Sequence, residues 1–365
     1  MLEPCSLLQH SHFPCHAHAI CRILAGLLPS LERRAAIPAL SIVLVTSDAR
    51  RLDKVLRHYR ATGDPDRLEI VVAAIAGAVV SRDSIAALGF EHIQIINVVG
   101  DIGHAEWSAV HAASAPYLVF GQIHAYPMAG FVDSILAALR AYPWTVVGPA
   151  TTNANPRHAV SRAAMLIHYG PWLVSRPSGA ATSVLAHNSA YQRSALLLLG
   201  EQLRDHLEAG PSLQDALHRR GATFFFESAA CIATVNISRF RAFIRDQFLQ
   251  GAYFAYRRRR SWSWIRRSLY LAGAPLIPFV RFIRIAFRLY RNGHLHELRC
   301  LPMLLAGLFA NAAGEFSGYA VSVDFHGLRI DTTLNRLGYV LEDDRLNERD
   351  QRTWPAGPIS ADARR

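Results

Sequence analysis

The side chains best placed to do chemistry follow an apolar run. Tyr117–Phe120 (YLVF) leads into Gly121-Gln122-Ile123-His124-Ala125-Tyr126-Pro127. Gln122 and His124, at i and i+2, share one side of an extended chain and can be aimed at one metal–diphosphate group. His124 is a ligand-type side chain for Mn2+ or Mg2+, but one imidazole without a carboxylate is a weak site for a hard cation. The bland alternatives are a loop imidazole bonded to backbone and a turn glutamine facing solvent. Thr46 and Ser47 close an earlier apolar run, Leu40–Thr46, where a hydroxyl can cap the next helix as readily as Asp48 can. Asn188 has turn stabilisation as its ordinary role. Glu208 and Asp215 have that of solvated helix-face acids.

Basic residues are concentrated in one segment. The 39 basic and 28 acidic residues give +11, and Lys54 is the single lysine among 38 arginines. Residues 239–292 hold 13 arginines and one acid, Asp246, for +12, so the rest of the chain sums to −1. This distribution excludes a general nucleic-acid surface and points to one anionic contact, a membrane surface or phosphates. Arg239, Arg241 and Arg245 are candidates for a diphosphate or acceptor phosphate, with lipid phosphate as the competing target. Arg281, Arg284, Arg288 and Arg291 fall on one helical face with apolar residues around the remainder. That pattern suits a helix in a membrane interface, its arginines reaching lipid phosphates. Trp262 and Trp264 upstream suit the headgroup region. Pro302–Val321 is long enough to span a bilayer, yet Asn311 and Glu315 lie within it, and an in-plane hairpin or packed helix is the alternative. The arginines place the body on the cytoplasmic side.

Five cysteines, three of them in the first 21 residues, make no disulfide framework and suggest a reduced, cytosolic setting. Cys15, His16, His18 and Cys21, with His10 and His12, match no zinc spacing, so residues 1–37 read as an irregular leader without a secretory signal.

The candidate residues need a frame to position them, and the apolar pattern supplies one. Leu40–Thr46, Leu68–Ile75, His92–Val99, Tyr117–Phe120 and Trp144–Gly148 read as buried strands. Helical spacing covers Arg50–Arg60, Val79–Leu88, His104–Ala115 and Ala129–Ala141 between them. The alternation predicts an α/β fold with a mostly parallel central sheet flanked by helices, ligands binding at the strands' carboxyl ends. Further on, Ser183–Tyr191 reads as strand or loop, Ser194–Leu207 and Ser212–Arg219 as helices, and Thr223–Glu227 and Ile232–Val235 as strands. A basic, apolar helical region follows over 246–325, and 326–365 is a polar tail.

At these positions the sequence resembles family 2 glycosyltransferases, which have the Rossmann-like A-type nucleotide-sugar fold. There a fourth strand ends in an acidic Asp-X-Asp-like motif, and one branch has Glu-Asp-His, an aromatic residue, Pro and then a helix. The resemblance runs over residues 38–322 and is carried by several stretches in order. They are LSIVLVTSDARRLDKVLRHYRA, HAEWSAVHAASAPYLVF, VGPATTNANP, Tyr169-Gly170-Pro171-Trp172, His187-Asn188-Ser189-Ala190-Tyr191-Gln192-Arg193, Asn236-Ile237-Ser238-Arg239 and Gly273-Ala274-Pro275-Leu276-Ile277-Pro278.

The resemblance implies an α/β transferase domain over 38–245 that moves a sugar, with inversion, from a nucleotide-sugar donor to a lipid-linked or surface glycan acceptor. A divalent cation would hold the donor diphosphate. Thr46, Ser47, Gln122, His124, Asn188 and Arg239 would bind the donor, His124 the metal, and Asp215 or Glu208 would be the base. The sequence departs from the family pattern where Gln122 and Ile123 replace the motif carboxylates. Ala73-Ala74 stands where many members place Asp, and Thr234 where a late metal-binding His is expected. These departures imply either arginines in place of the metal or a non-catalytic pseudo-glycosyltransferase that binds partners or lipid.

Overall fold

Residues Leu40–Thr46 form β1, and both of its faces are covered. Leu40, Ile42 and Leu44 pack with Leu52, Val55, Leu56 and Tyr59 of α1 (Leu52–Arg60), while Val43 joins a second core with Val71 and Phe120. Such two-sided burial is why the strand reads as a continuous apolar run and not as an alternation. β2 (Leu68–Ala74) and β3 (His92–Asn97) lie parallel to β1 on one side, and β4 (Tyr117–Gly121) lies parallel to it on the other. The crossovers carry α2 (Arg82–Ala86) and α3 (Ile102–Ala112). In the middle of the sheet, the buried Glu69 carboxylate accepts bonds from the Ser41 hydroxyl (2.5 Å), Ser114 N (2.8 Å) and the Ser114 hydroxyl (2.9 Å). It thereby ties β1, β2 and the approach to β4 together.

The second half extends the same sheet. It comprises β5 (Ala125–Pro127), α4 (Phe131–Ala141), β6 (Val146–Asn153), α5 (Ala159–Tyr169), β7 (Gly179–Ala180), β8 (Ala190–Gln192), α6 (Arg193–Leu197), α7 (Gln202–Glu208), α8 (Pro211–His218) and β9 (Phe224–Thr234). The sheet order is β3-β2-β1-β4-β8-β6-β9-β5, with β7 beside β9. The long pairs are parallel; the short strands β5, β7 and β8 are antiparallel to their neighbours. This is the α/β architecture with a flanked central sheet that the sequence predicts.

Several boundaries differ from expectation. The two expected strands at 223–235 are one strand, with a register shift opposite Pro149/Ala150. The expected helix over 194–207 is two helices, because Gly200 takes a left-handed φ of 56°. Such a φ interrupts helical hydrogen bonding and suits glycine.

After β9 come α9 (Phe240–Arg259), α10 (Trp264–Gly273), α11 (Ile277–Arg291) and α12 (Leu301–Ala320). Helix α12 packs along α9 and buries Leu304, Leu308, Asn311, Glu315 and Tyr319. Glycine makes the approach to α9 possible. A Cβ at Gly251 would lie 2.0 Å from Asn311 O, and one at Gly314 would lie 2.0 Å from Phe248 O. Helix α9 also runs unbroken across the expected boundary at 245/246. By length and composition alone, Trp264–Arg291 and Leu295–Ala320 are long and apolar enough to cross a membrane.

The coordinates are a computed structural model describing residues 37–174, 176–208, 211–259, 262–320, 336–342 and 344. Contacts divide the chain into residues 1–37 and 38–365. The irregular leader, with its Cys and His residues, lies outside the described residues, as does most of the polar tail. The described part of that tail is anchored: Val340 is fully buried, Tyr339 O accepts from Ser238 N, and Leu341 N donates to the Ser238 hydroxyl at 2.8 Å.

Candidate functional site

Strands β1, β4, β6 and β9 all point one way, so Thr46, Gly121, Asn153 and Thr234 end on a common edge. The chain winds to opposite sides of β1, toward β2 and toward β4, and such a switch point opens a crevice at the strand ends. Gln122 stands at that crevice, directly after β4. Asn188 reaches it from the loop before β8: its N donates to Phe120 O (2.7 Å) and its Nδ2 to Gln122 Oε1 (3.2 Å). Asn188 is buried and has φ 62°, a left-handed conformation that asparagine tolerates better than most residues. Ser189 Oγ donates to Leu185 O (2.6 Å) and Tyr191 Oη to Ala186 O (2.8 Å), fixing the loop. Two of the predicted site residues are therefore brought together.

Asn188→Ala is expected to destabilise the protein by about 2 kcal/mol, one part from the left-handed φ and one from the lost bond to Gln122. Asn188→Gly, which takes that φ freely, should cost about half as much. Urea denaturation of the two variants checks the difference.

The other predicted residues have different surroundings. Thr46 is fully buried, and its hydroxyl donates to Asp48 O (2.9 Å) and accepts from Asp48 N (3.0 Å), so it builds the turn after β1. Asp48 caps the next turn through Arg50 N, and the Arg50 side chain holds its carboxyl below the usual range. Ser47 stays half-buried at the edge. His124 is buried in the turn between β4 and β5, its carbonyl accepting from Val235 N (2.9 Å). Arg239 is exposed at the start of α9, with its N donating to Tyr339 O (3.2 Å). Glu208 ends α7, and its side chain is outside the described set.

The expected divalent-cation site does not fit these residues. Among the described residues no group of three or more His, Cys, Asp or Glu could hold a metal ion. The physical reason lies in the turn itself, where an amide and a buried isoleucine, Gln122 and Ile123, stand where the resemblance leads one to expect carboxylates. Thr234, at the expected late histidine, faces the Thr151 hydroxyl at 3.3 Å.

The edge also contains groups that the sequence reading missed. Buried Glu106 of α3 stands 3.6 Å from His187 Nδ1, and about a third of the His187 side chain is exposed. A partly exposed imidazole close to a buried carboxylate is a candidate proton acceptor, and it adjoins Asn188. Its only sequence signal was His187 in the quoted stretch, because Glu106 is one acid within an otherwise unremarkable helix. The NANP and NIS stretches prove to be clips. Asn155 Nδ2 donates to Asn236 O (2.8 Å), Asn236 N donates to Asn155 Oδ1 (2.8 Å), and Asn155 Nδ2 also reaches Asp344 Oδ2 (3.1 Å).

Asp215 belongs to a separate feature. It lines a cleft of about 1000 Å³ among α5, α7, α8, α9, α11 and α12, whose lining includes none of Thr46, Ser47, Gln122, His124 or Asn188. Helix α8 connects the two regions. Gln214 brackets Val184 by accepting from its N (3.2 Å) and donating to its O (2.8 Å), in the loop that leads to Asn188. The α11 arginines, expected to reach lipid phosphates or else to form the solvated face of a packed helix, include three that line this cleft: Arg281, Arg284 and Arg288. The exposed residues of α11 are Phe279, Val280, Ile283, Phe287 and Tyr290 together with Arg284 and Arg291, and Leu276 precedes them. Helical periodicity separates the two faces but does not say which one the body covers.

No protein-family model matches the sequence, and no curated protein sequence matches it. Among solved structures, the chain is similar to that of GalNAc-T7 with UDP, GalNAc and Mn2+, at a TM-score of 0.40 and 10% identity. The similarity covers 55% of this chain and 43% of that one, so the chain matches less than half of that protein's length.

Proposed function

We propose that this protein is a glycosyltransferase that takes a sugar from a nucleotide-sugar donor and passes it to a lipid-linked or glycan acceptor at the cytoplasmic face of a membrane. One observation carries the reading: the Asn188 loop of the HNSAY stretch closes on Gln122 at the switch point of the sheet, where the family resemblance places the donor. Ser47, Gln122 and Asn188 then contact the nucleotide sugar. The acceptor hydroxyl attacks the anomeric carbon with inversion, its proton passes to a base, and the nucleoside diphosphate leaves. His187, beside Asn188 and 3.6 Å from Glu106, is a candidate base at the donor residues, while Asp215 faces the cleft where an acceptor can enter. The leaving diphosphate needs positive charge or N–H donors, the role the resemblance gives to Arg239 at the start of α9. Apolar residues exposed on α10 (Trp264, Ile265 and Leu269) and α11 support apposition to a membrane.

A second reading, a non-catalytic relative that binds without turnover, is favoured by the Gln122-Ile123 pair in place of carboxylates. The test is thermal shift with nucleoside diphosphates and nucleotide sugars, with and without Mn2+, followed by an assay for donor consumption. Saturable stabilisation that weakens about tenfold in Asn188→Gly supports the donor site. Stabilisation without consumption selects the second reading. No shift with any nucleotide overturns the donor site.

A further inference from the structure

The cleft that contains Asp215 has a charge composition the donor site does not explain. Six arginines line it (Arg219, Arg257, Arg258, Arg281, Arg284 and Arg288) against three carboxylates, Asp205, Asp215 and Glu315. Three of the arginines are committed. Arg281 donates to Glu315 and Asn311, Arg257 donates to Asp205 O (3.0 Å), and Arg258 lies over the Phe254 ring at 3.9 Å. Arg219, Arg284 and Arg288 form no ion pair among the described residues.

Arg284 and Arg288 are one helical turn apart on α11, a like-charge spacing that costs a helix stability. Burial and the neighbouring Arg284 hold the Arg288 guanidinium below its usual range. Gly170 leaves room for it: a Cβ there would lie 3.0 Å from Arg288 Nη1. Side chains such as Leu166, Ile285 and Phe254 give the same cleft apolar wall, and its volume is that of a ligand site.

We propose that this cleft binds a phosphate or diphosphate group, held chiefly by Arg284 and Arg288 with Arg219 contributed from the end of α8. Planar guanidinium groups match phosphate oxygens two at a time, and an anion between them turns the like-charge pair into an asset. The phosphate can belong to a lipid or to a soluble diphosphate. A lipid fits the wider surface, because exposed Arg284 on α11 adjoins the exposed apolar residues Val280, Ile283 and Phe287. Identifying the ligand with the acceptor rests on the transferase reading above; phosphate binding itself does not.

The test uses the full chain and calorimetric titration with two probes, sodium pyrophosphate and farnesyl diphosphate. Both should bind saturably to the wild type, and the Arg284→Gln/Arg288→Gln double variant should lose affinity by about 100-fold or more. The double variant should unfold at the same or a higher temperature than wild type, since it sheds repulsion, and a merely structural role would lower it. Arg291→Gln, on the same helix outside the cleft, should bind as wild type does. Tighter binding of farnesyl diphosphate than of pyrophosphate assigns the site to a lipid phosphate; equal binding assigns it to a soluble diphosphate. Unchanged affinity in the double variant, or equal loss in Arg291→Gln, overturns the proposal. No nucleotide enters this titration, so its failure and failure of the donor site are read separately.

Discussion

Gly314→Val should destabilise the protein by about 3 kcal/mol or more, the upper range for forcing bulk into a closed contact. The residue sits where α12 meets α9 backbone to backbone. A Cβ at Gly314 falls 2.0 Å from Phe248 O and 2.9 Å from Ala252 N, and one at Gly318 falls 2.2 Å from Ala252 O. A carbonyl cannot swing aside as a flexible side chain does, so the helices must separate along the whole contact. Separation would also loosen Leu304 and Leu308, which are buried with Phe243 and Ile285 in the core beneath the cleft. Gly273→Ala is the control, because nothing lies within 4 Å of a Cβ there. That substitution should be neutral or stabilising by up to about 1 kcal/mol. Urea midpoints for the two variants decide the matter. If Gly314→Val unfolds at the wild-type midpoint, α12 is not held against α9 as described, and a helix free to enter a bilayer becomes the better account.

The glycines of α12 illustrate what a sequence conveys and what it withholds. Pro302–Val321 is apolar enough to span a bilayer, and its richness in Ala and Gly fits a close helix–helix contact equally well. Only the partner settles the choice. Gly251, Ala252 and Ala255 of α9 lie more than fifty residues upstream, in a segment whose conspicuous feature is arginine. By contrast, β1 to β4 are legible almost to the residue. Strands buried on both faces are apolar at most positions, with buried polar side chains such as Glu69 paired, and that constraint is local.

The candidate site divides the same way. Gln122 and Asn188 were legible because each belongs to a short stretch with a family resemblance, and the fold brings them to 3.2 Å. Glu106 and His187 were not, since neither residue type is unusual in its setting and their meaning arises only from a 3.6 Å approach across the sheet edge. The α11 arginines were recognised as a face, and the structure adds that three of them line a cleft. Amphipathic spacing is symmetric between a helix with its polar side out and one whose polar side lines a cleft. In the structure, Arg281 and Arg288 are partly covered in the cleft, while Ile283 and Phe287 are exposed beside Arg284.

Arg281→Met should cost about 3–5 kcal/mol near pH 8, the range for orphaning a buried charge. Arg281 bridges α11 to α12 by donating to both Asn311 and Glu315, and the Glu315 side chain is 4% exposed. Burial raises the Glu315 carboxyl above its ordinary value, while Arg281 and Arg258 pull it back. Removing Arg281 leaves burial less opposed, so the carboxyl rises further. A group whose folded value is raised adds stability below its unfolded value and loses it as pH climbs through the folded one. The deficit of Arg281→Met relative to wild type should therefore shrink on acidification toward about pH 4, the ordinary glutamate range. Glu315→Gln carries no titrating group at this position and should show a smaller penalty, with no contribution from this site to its pH dependence. The double replacement Arg281→Met/Glu315→Leu should recover most of the loss, as buried pairs exchanged for apolar side chains do. Urea midpoints of the three variants and wild type across this pH range test the set. A deficit for Arg281→Met that stays constant with pH would show that the Glu315 charge is not what Arg281 compensates.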